Sequence, residues 1–206
     1  MRALHTVHGA QPVVAAVELR QSVVRGLAWN VSGQAAMQLS RFAVAIVLAR
    51  LLTPHAYGLA GMVVVISGLT LVFSDVTLGV GLIQRERITE ADRSTMFWTS
   101  CVIGLAATGV GVAVSGWVAD FYGEPAVRAL FAVFSVTFLL TALGTTQATL
   151  LQRAMDFRGL QIRTIAATVA GGGAGIVAAA MGLGAWSIIT QLLVGNLCST
   201  LLLWRL

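Results

Sequence analysis

A row of polar side chains able to bind a ligand follows one apolar stretch near the amino terminus. The row consists of Asn30, Gln34, Gln38 and Arg41. Intervals of four, four and three residues place these side chains on one helical face. Amides and a guanidinium are unfavourable against lipid, so this face should turn toward a bundle interior or a water-filled cavity.

The chemistry of the row points to an anion. The guanidinium of Arg41 is a planar fork of donors that suits phosphate oxygens. The row therefore predicts an anion-binding site. The structural alternative is an internal ion pair or a clamp on backbone carbonyls that only holds helices together.

Asp75 is the one acidic residue inside an apolar stretch. Gly61, Gly68 and Asp75 are spaced by sevens, which predicts a tightly packed helix face where the carboxylate accepts hydrogen bonds. A structural role is one interpretation. Coupling to a proton or cation is the other.

Six apolar stretches must position these residues. Each is long enough to cross ~30 Å of hydrocarbon at ~1.5 Å per residue. With 57% hydrophobic and 10% charged residues, the chain does not have the composition of an ordinary soluble domain. We predict an all-α fold, a polytopic transmembrane helix bundle of six spans. The spans lie near residues 27–49, 58–83, 95–118, 129–152, 164–181 and 184–204.

The thirteen basic residues, all of them arginines, predict the orientation of the spans. Ten, Arg163 among them, flank one side, only Arg50 and Arg128 flank the other, and Arg41 remains inside a span. The positive-inside rule then places both termini in the cytoplasm. Residues 1–25 are predicted to form a cytoplasmic lead-in, able to fold as a short interfacial helix, and residues 26–206 the transmembrane lobe.

The basic balance and the reactive residues exclude other classes of function. Arginines that face anionic lipid headgroups account for the net charge of +5, so membrane lipids and no nucleic acid are expected as partners. All three histidines lie outside the spans, and the two cysteines lie in separate spans without metal-ligand spacing. Because intramembrane catalysis needs a nucleophile with a base, or paired acids with a metal, we expect no enzyme, no metal and no cofactor.

Weaker patterns in the sequence indicate helix ends and helix packing. Thr53 before Pro54 and Glu124 before Pro125 predict helix starts. Gly171 with Gly175 forms a GxxxG pair, which predicts close helix packing. Further polar residues occur in the later spans: Thr141, Thr145, Thr149, Gln152, Ser187, Gln191 and Asn196.

Five ordered segments resemble a known family. They are LARLLTPHAYG at 48–58, FSDVTLGVGLIQR at 73–85, FYGEP at 121–125, LLQRAMDFRGL at 150–160 and GLGAWSIITQ at 182–191. Together they are similar to the amino-terminal half of bacterial polysaccharide biosynthesis membrane proteins. These are oligosaccharide flippases of the multidrug/oligosaccharidyl-lipid/polysaccharide exporter superfamily. The resemblance covers roughly residues 20–206.

The resemblance implies a transporter of the bacterial inner membrane. Its substrate would be an undecaprenyl-pyrophosphate-linked oligosaccharide, moved from the cytoplasmic to the periplasmic leaflet. A central cationic cavity between two lobes is implied as the binding site. Arg41 would pair with the pyrophosphate there, and Gln38, Gln34 and Asn30 would bond sugar hydroxyls. Asp75 matches the acid of the family's FSD-like segment.

Length sets one further expectation. Members of the family usually carry twelve or more spans in two lobes, and this sequence contains six predicted spans. We therefore expect a second lobe, supplied by a homodimer or by a split partner chain. The alternative is a truncated or non-transporting membrane subunit of such a transporter.

Overall fold

The computed structural model describes residues 34–35, 37–78, 90–153 and 157–205. For residues 66–67, 69–78, 90–93, 153 and 157–158 only the helical backbone is described. Residues 40–206 form one compact unit, which contains the cavity discussed below. Residues 1–39 belong to a second unit.

The described residues are helical and include no strand, which confirms the all-α prediction. Helix α1 comprises the helical residues 34–35 and 37–51. Six further helices follow in chain order: α2 (Pro54–Leu78), α3 (Glu90–Tyr122), α4 (Pro125–Phe134), α5 (Val136–Arg153), α6 (Phe157–Ala180) and α7 (Trp186–Arg205).

Four stretches of the described chain are long and apolar enough to cross a membrane. They correspond to the predicted third to sixth spans, so the protein is a multi-pass membrane protein. The first two predicted spans lie partly outside the described residues, and within the described part only the shorter apolar segment Pro54–Val65 of α2 was found for them. The four spanning stretches are Ser94–Tyr122, Pro125–Gln152, Gly159–Ala180 and Trp186–Arg205.

Both predicted proline-marked helix starts are confirmed. Thr53 caps α2, since its Oγ1 accepts a hydrogen bond from the backbone N–H of Ala56 at 3.3 Å. Pro54 then occupies the first helical position. Helix α4 begins at Pro125, directly after an extended Glu124 whose side chain makes no capping bond. The fourth span therefore starts four residues earlier than the predicted 129.

The predicted fourth span consists of two helices that meet at Ser135. The Ser135 hydroxyl donates to the carbonyl of Phe131 at 2.8 Å, a back-bond that bends helices. Its carbonyl accepts hydrogen bonds from the Thr108 hydroxyl of α3 and the Phe138 N–H, each at 3.0 Å. Gly111 lets α3 approach, because a Cβ there would meet the Ser135 side chain. A contact between helices thus stabilises the break.

The hydrophobic core lies at one end of the bundle, here called the packed end. The connections α1–α2, α3–α4 and α6–α7 all contribute to it. Gly123 and Gly182, with φ of 66° and 78°, supply the left-handed residues that terminate α3 and α6. The alternation of the spans predicts that these three connections share one side. The core residues include Leu48, Leu52, Leu59, Val63, Val127, Leu130, Phe131, Phe134 and Ile189.

Helices α6 and α7 form the most extensive helix pair. A Cβ at Gly171 would lie 2.6 Å from the backbone oxygen of Gln191 and 3.0 Å from the Cα of Gly195. A Cβ at Gly175 would lie 2.8 Å from the Cβ of Gln191. The two backbones therefore meet where both helices lack side chains, which confirms the packing predicted from the GxxxG pair.

Exposed tryptophans mark both ends of two helices. Trp98 and Trp117 of α3 are 19 residues apart, and Trp186 and Trp204 of α7 are 18 apart. At ~1.5 Å per residue these spacings are about 28 and 27 Å, close to the ~30 Å of bilayer hydrocarbon. The rings of Phe97 and Trp204 have centroids 5.6 Å apart, so these ends of α3 and α7 coincide. This is the interfacial aromatic pattern of membrane proteins.

Candidate functional site

An open cavity of about 410 Å³ lies between α1, α6 and α7. Glycines on α6 and α7 leave the space for it, since the helices lack side chains at three of its lining positions. Among the lining residues that the structure describes, two are arginines and none is acidic. The lining comprises Arg41, Arg163, Thr164, Ala167, Thr168, Gly171, Gly172, Gln191, Leu192, Gly195, Asn196 and Ser199.

Neither guanidinium of the cavity has a counter-charge among the residues whose side chains are described. Arg163 is half-buried, and its Nε is buried without a hydrogen-bond partner among the described residues. Arg41 is more exposed, lines the same cavity and has no partner in the described part of the chain either. A desolvated charge without a counter-charge is unfavourable. An anion in this cavity would provide that counter-charge.

The cavity lies within the depth of the hydrocarbon. Along α7, Ser199 is 5 residues from Trp204 and Gln191 is 13 residues from it. At ~1.5 Å per residue these separations are about 7 and 20 Å. The cavity therefore extends from near one aromatic end to beyond the middle of a ~30 Å hydrocarbon layer.

The two arginines lie at different depths. A Cβ at Gly172 would lie 2.7 Å from Val44, so these two residues are at one level. Helices α1 and α6 both run toward the packed end. Arg41 comes three residues before Val44 and Arg163 nine before Gly172, which places them about 4 and 13 Å farther from the packed end. Long side chains can bridge that difference.

Several polar lining groups are already hydrogen-bonded. The hydroxyls of Thr164 and Thr168 donate to carbonyls one turn earlier in α6, each at 2.8 Å. The Asn196 amide donates to a carbonyl one turn earlier in α7 at 2.9 Å. The side chains of Gln191 and Ser199 form no hydrogen bond with any residue that the structure describes. The groups left for a ligand are therefore the two guanidiniums, the Gln191 amide and the Ser199 hydroxyl.

The predicted polar row is only partly represented in this site. Arg41 lines the cavity. Gln34 and Gln38 are exposed and belong to the unit that ends at residue 39. Asn30 lies outside the described residues, and so does the side chain of Asp75, whose backbone forms part of α2. Ligand binding by Arg41, Gln38, Gln34 and Asn30 stays a prediction, and so does the structural or coupling role of Asp75.

Arg163, which the charge distribution treats as a flanking residue, also lines the cavity. It lies six residues after the start of α6 at Phe157. The sequence contains a signal for its position. Arg163, Ala167 and Gly171 are spaced by fours and therefore share the face on which the GxxxG pair packs.

The remaining polar candidates are mostly satisfied within their own helices. Thr141, Thr145 and Thr149 donate to carbonyls one turn earlier in α5, at 2.8, 2.9 and 2.9 Å. Thr141 also contacts Asn196 Oδ1 at 3.4 Å. Ser187 is fully buried and does not line the cavity.

These features define a class, a multi-pass helical membrane protein with a cationic cavity at hydrocarbon depth. The sequence match is more specific. Residues 47–206 match the family described as polysaccharide biosynthesis protein, and the chain belongs to that family.

Similar proteins are known from several bacteria. The chain is 24% identical to the lipopolysaccharide biosynthesis protein WzxC of Escherichia coli K12, over 90% of the chain and 38% of the relative. It is 24% identical to the succinoglycan biosynthesis transport protein ExoT of Rhizobium meliloti, over 86% and 36%. An uncharacterized membrane protein in the cps region of Klebsiella pneumoniae is 19% identical, over 68% and 29%.

The chain thus spans less than two fifths of the length of these relatives. No solved structure matches it. The family match and the relatives' names agree with the prediction that the protein is not an enzyme. Together with the four apolar spans, they assign it to the bacterial inner membrane.

Proposed function

We propose that the chain is a membrane flippase, or half of one, for an undecaprenyl-pyrophosphate-linked oligosaccharide used in polysaccharide biosynthesis. The observation that carries the proposal is the presence of Arg41 and Arg163 in one intramembrane cavity with no acid among its described lining residues. A diphosphate offers only acceptor oxygens and negative charge. Two guanidinium forks complement both properties.

The similar proteins support a role in glycan export. ExoT is named as a transport protein of succinoglycan biosynthesis, and WzxC as a protein of lipopolysaccharide biosynthesis. A lipid-linked oligosaccharide has a polyprenyl tail that stays in the bilayer and a charged head that does not. A cationic cavity between membrane helices provides the opposite charge that the head requires.

The mechanism that we propose is alternating access. The head enters at the end of the bundle opposite the packed end, while the core at the packed end closes the other route. Rocking of this lobe against a second lobe then exposes the head on the other side. With both termini in the cytoplasm, as the arginine distribution predicts, the cavity described here opens toward the cytoplasm. The driving force must come from different affinities of the two states, or from a coupled ion.

Translocation in liposomes tests this proposal. The chain is reconstituted with undecaprenyl diphosphoglucose, and the lipid that appears in the outer leaflet is followed with a membrane-impermeant reagent. Arg41→Gln and Arg163→Gln should each slow translocation about tenfold or more, because a charge-assisted hydrogen bond contributes about 1.5 to 3 kcal/mol. Lysine at either position should retain part of the rate, since it keeps the charge and loses the fork.

The control is Arg128→Gln, which removes an exposed arginine of α4 outside the cavity. Its rate should equal that of the wild type. Unchanged translocation in both cavity variants would remove the arginines from the mechanism. The alternative function, a non-transporting membrane subunit, predicts that the wild type binds the lipid and leaves translocation at the protein-free rate.

A further inference from the structure

The hydrogen-bonding groups of the cavity lie at different depths. Arg163 lies nearest the open end, about 13 Å from the level of Gly172. Gln191 lies at the deep end, where its backbone oxygen is 2.6 Å from the position of a Cβ on Gly171. Its side chain packs beside Gly175, with Oε1 3.2 Å from the position of a Cβ there. The cavity therefore has Arg163 at its outer level, Arg41 at an intermediate level and the Gln191 amide at its floor.

The arginine levels and the floor have different chemistry. A guanidinium only donates hydrogen bonds, so its complement is a group that only accepts, such as a diphosphate. A carboxamide both donates and accepts, so its complement is a group that does the same. The hydroxyl and acetamido groups of a sugar have this property.

The other polar groups near the floor do not compete for this role. Thr168 and Asn196 already donate to their own helices. Gln191 is half-buried, and its side-chain amide has no hydrogen bond to any described residue. It is thus the deep lining group whose amide is available to a ligand.

The size of the cavity limits what it holds. At about 410 Å³ it lies near the lower bound of the ~300 to 1,000 Å³ typical of small-molecule sites. That volume suits a diphosphate with the sugar attached to it. It is too small for the whole repeat unit of a polysaccharide.

We propose that Gln191 is a specificity-determining residue that binds the first sugar, and that the head enters sugar first with its diphosphate held behind by Arg41 and Arg163. This inference rests on the proposed function. The order follows from the substrate as well, since the diphosphate must stay connected to a tail in the leaflet from which the head enters.

Binding of two kinds of lipid in nanodiscs tests the assignment. The first is undecaprenyl diphosphate, and the second carries one hexose, as undecaprenyl diphosphoglucose or diphosphogalactose. The wild type should bind at least one sugar-bearing lipid about tenfold more tightly than the sugar-free lipid. Gln191→Met keeps a long unbranched side chain against Gly175 and removes the amide. It should abolish that difference and leave the affinity for undecaprenyl diphosphate within about twofold of the wild type.

The matched control is Gln152→Met, the same exchange at an exposed position of α5 outside the cavity, which should keep the tenfold preference. Arg163→Gln should weaken binding of both kinds of lipid.

Equal affinity of the wild type for sugar-bearing and sugar-free lipids would overturn the assignment of Gln191 and leave the proposed function intact. So would an equal loss for both lipids in Gln191→Met. Failure of the wild type to bind any of the lipids would overturn the proposed function itself.

Discussion

Arg41 and Arg163 come from distant parts of the sequence and line one cavity. Neither has an acidic neighbour among the described lining residues, so each keeps its donors for a ligand. Two like charges in one cavity between membrane helices are stable only where water or an anion reaches them. A lining with two positive charges therefore requires an open cavity that water or an anion can enter.

Single side chains also connect the helices that frame the site. The Thr108 hydroxyl shares its proton between the carbonyl of Gly104 in its own helix, at 2.9 Å, and the carbonyl of Ser135 between α4 and α5, at 3.0 Å. Thr108→Val keeps the shape of the side chain and removes this donor. We expect a loss of about 0.6 to 1.7 kcal/mol in the free energy of unfolding, the range found for hydrogen bonds between membrane helices. Detergent unfolding followed by circular dichroism measures it.

Thr145→Val is the matched control for this prediction. The Thr145 hydroxyl donates to a carbonyl of its own helix, so its removal leaves the contacts between helices unchanged. The control should unfold like the wild type. Equal stability of both valine variants would show that the bond to Ser135 contributes nothing.

Among the elements, the pair α6 and α7 decides the geometry of the site. The helices touch along glycines, and the same lack of side chains opens the cavity between them. Gly171→Ala places a methyl group against backbone atoms of α7, which cannot yield as a side chain could. We expect a loss of about 1 to 3 kcal/mol in the free energy of unfolding, as for overpacking in other proteins.

Gly173→Ala provides the control in the same helix. Nothing lies within 4 Å of a Cβ at this position, so the variant should be neutral or stabilised by up to about 1 kcal/mol through helix propensity. Thermal denaturation in detergent compares the two. Similar midpoints for both variants would refute the close contact at Gly171.

The sequence predicts those elements that depend on a local pattern of residues. These are the third to sixth spans, the two proline-marked helix starts and the GxxxG packing. The break at Ser135 could not be predicted, since a serine inside an apolar run is compatible with an unbroken helix. Its conformation depends on Thr108 and Gly111, which belong to another helix.

The same limit applies to the candidate site. Arg41 stands out because it is a charge deep inside a span. Arg163 lies near a span end, where a count of flanking charges treats every arginine as a topological signal. The packing of α6 on α7 is what places the Arg163 side chain in the cavity lining. Gln191 could be named as a polar residue of the last span, but its depth required the structure.

At the scale of the whole molecule, the lobe is asymmetric. The packed end joins three connections in one core, whereas the other half of the bundle contains the polar cavity. Exposed tryptophans at both ends of α3 and α7 mark the two bilayer interfaces, so the packed end lies at one interface and the open end faces the other. A lobe closed at one end and accessible at the other has the form required of one state in alternating access.

The most direct test of this account is the affinity of the chain for undecaprenyl diphosphate in nanodiscs, with uncharged undecaprenol as the reference lipid. The wild type should bind the diphosphate and show no comparable affinity for undecaprenol. The double variant Arg41→Gln with Arg163→Gln should bind the diphosphate about a hundredfold or more weakly, since two charge-assisted contacts are lost. Arg128→Gln should bind it as the wild type does. A double variant that binds the diphosphate as tightly as the wild type would contradict the assignment of this cavity as the headgroup site.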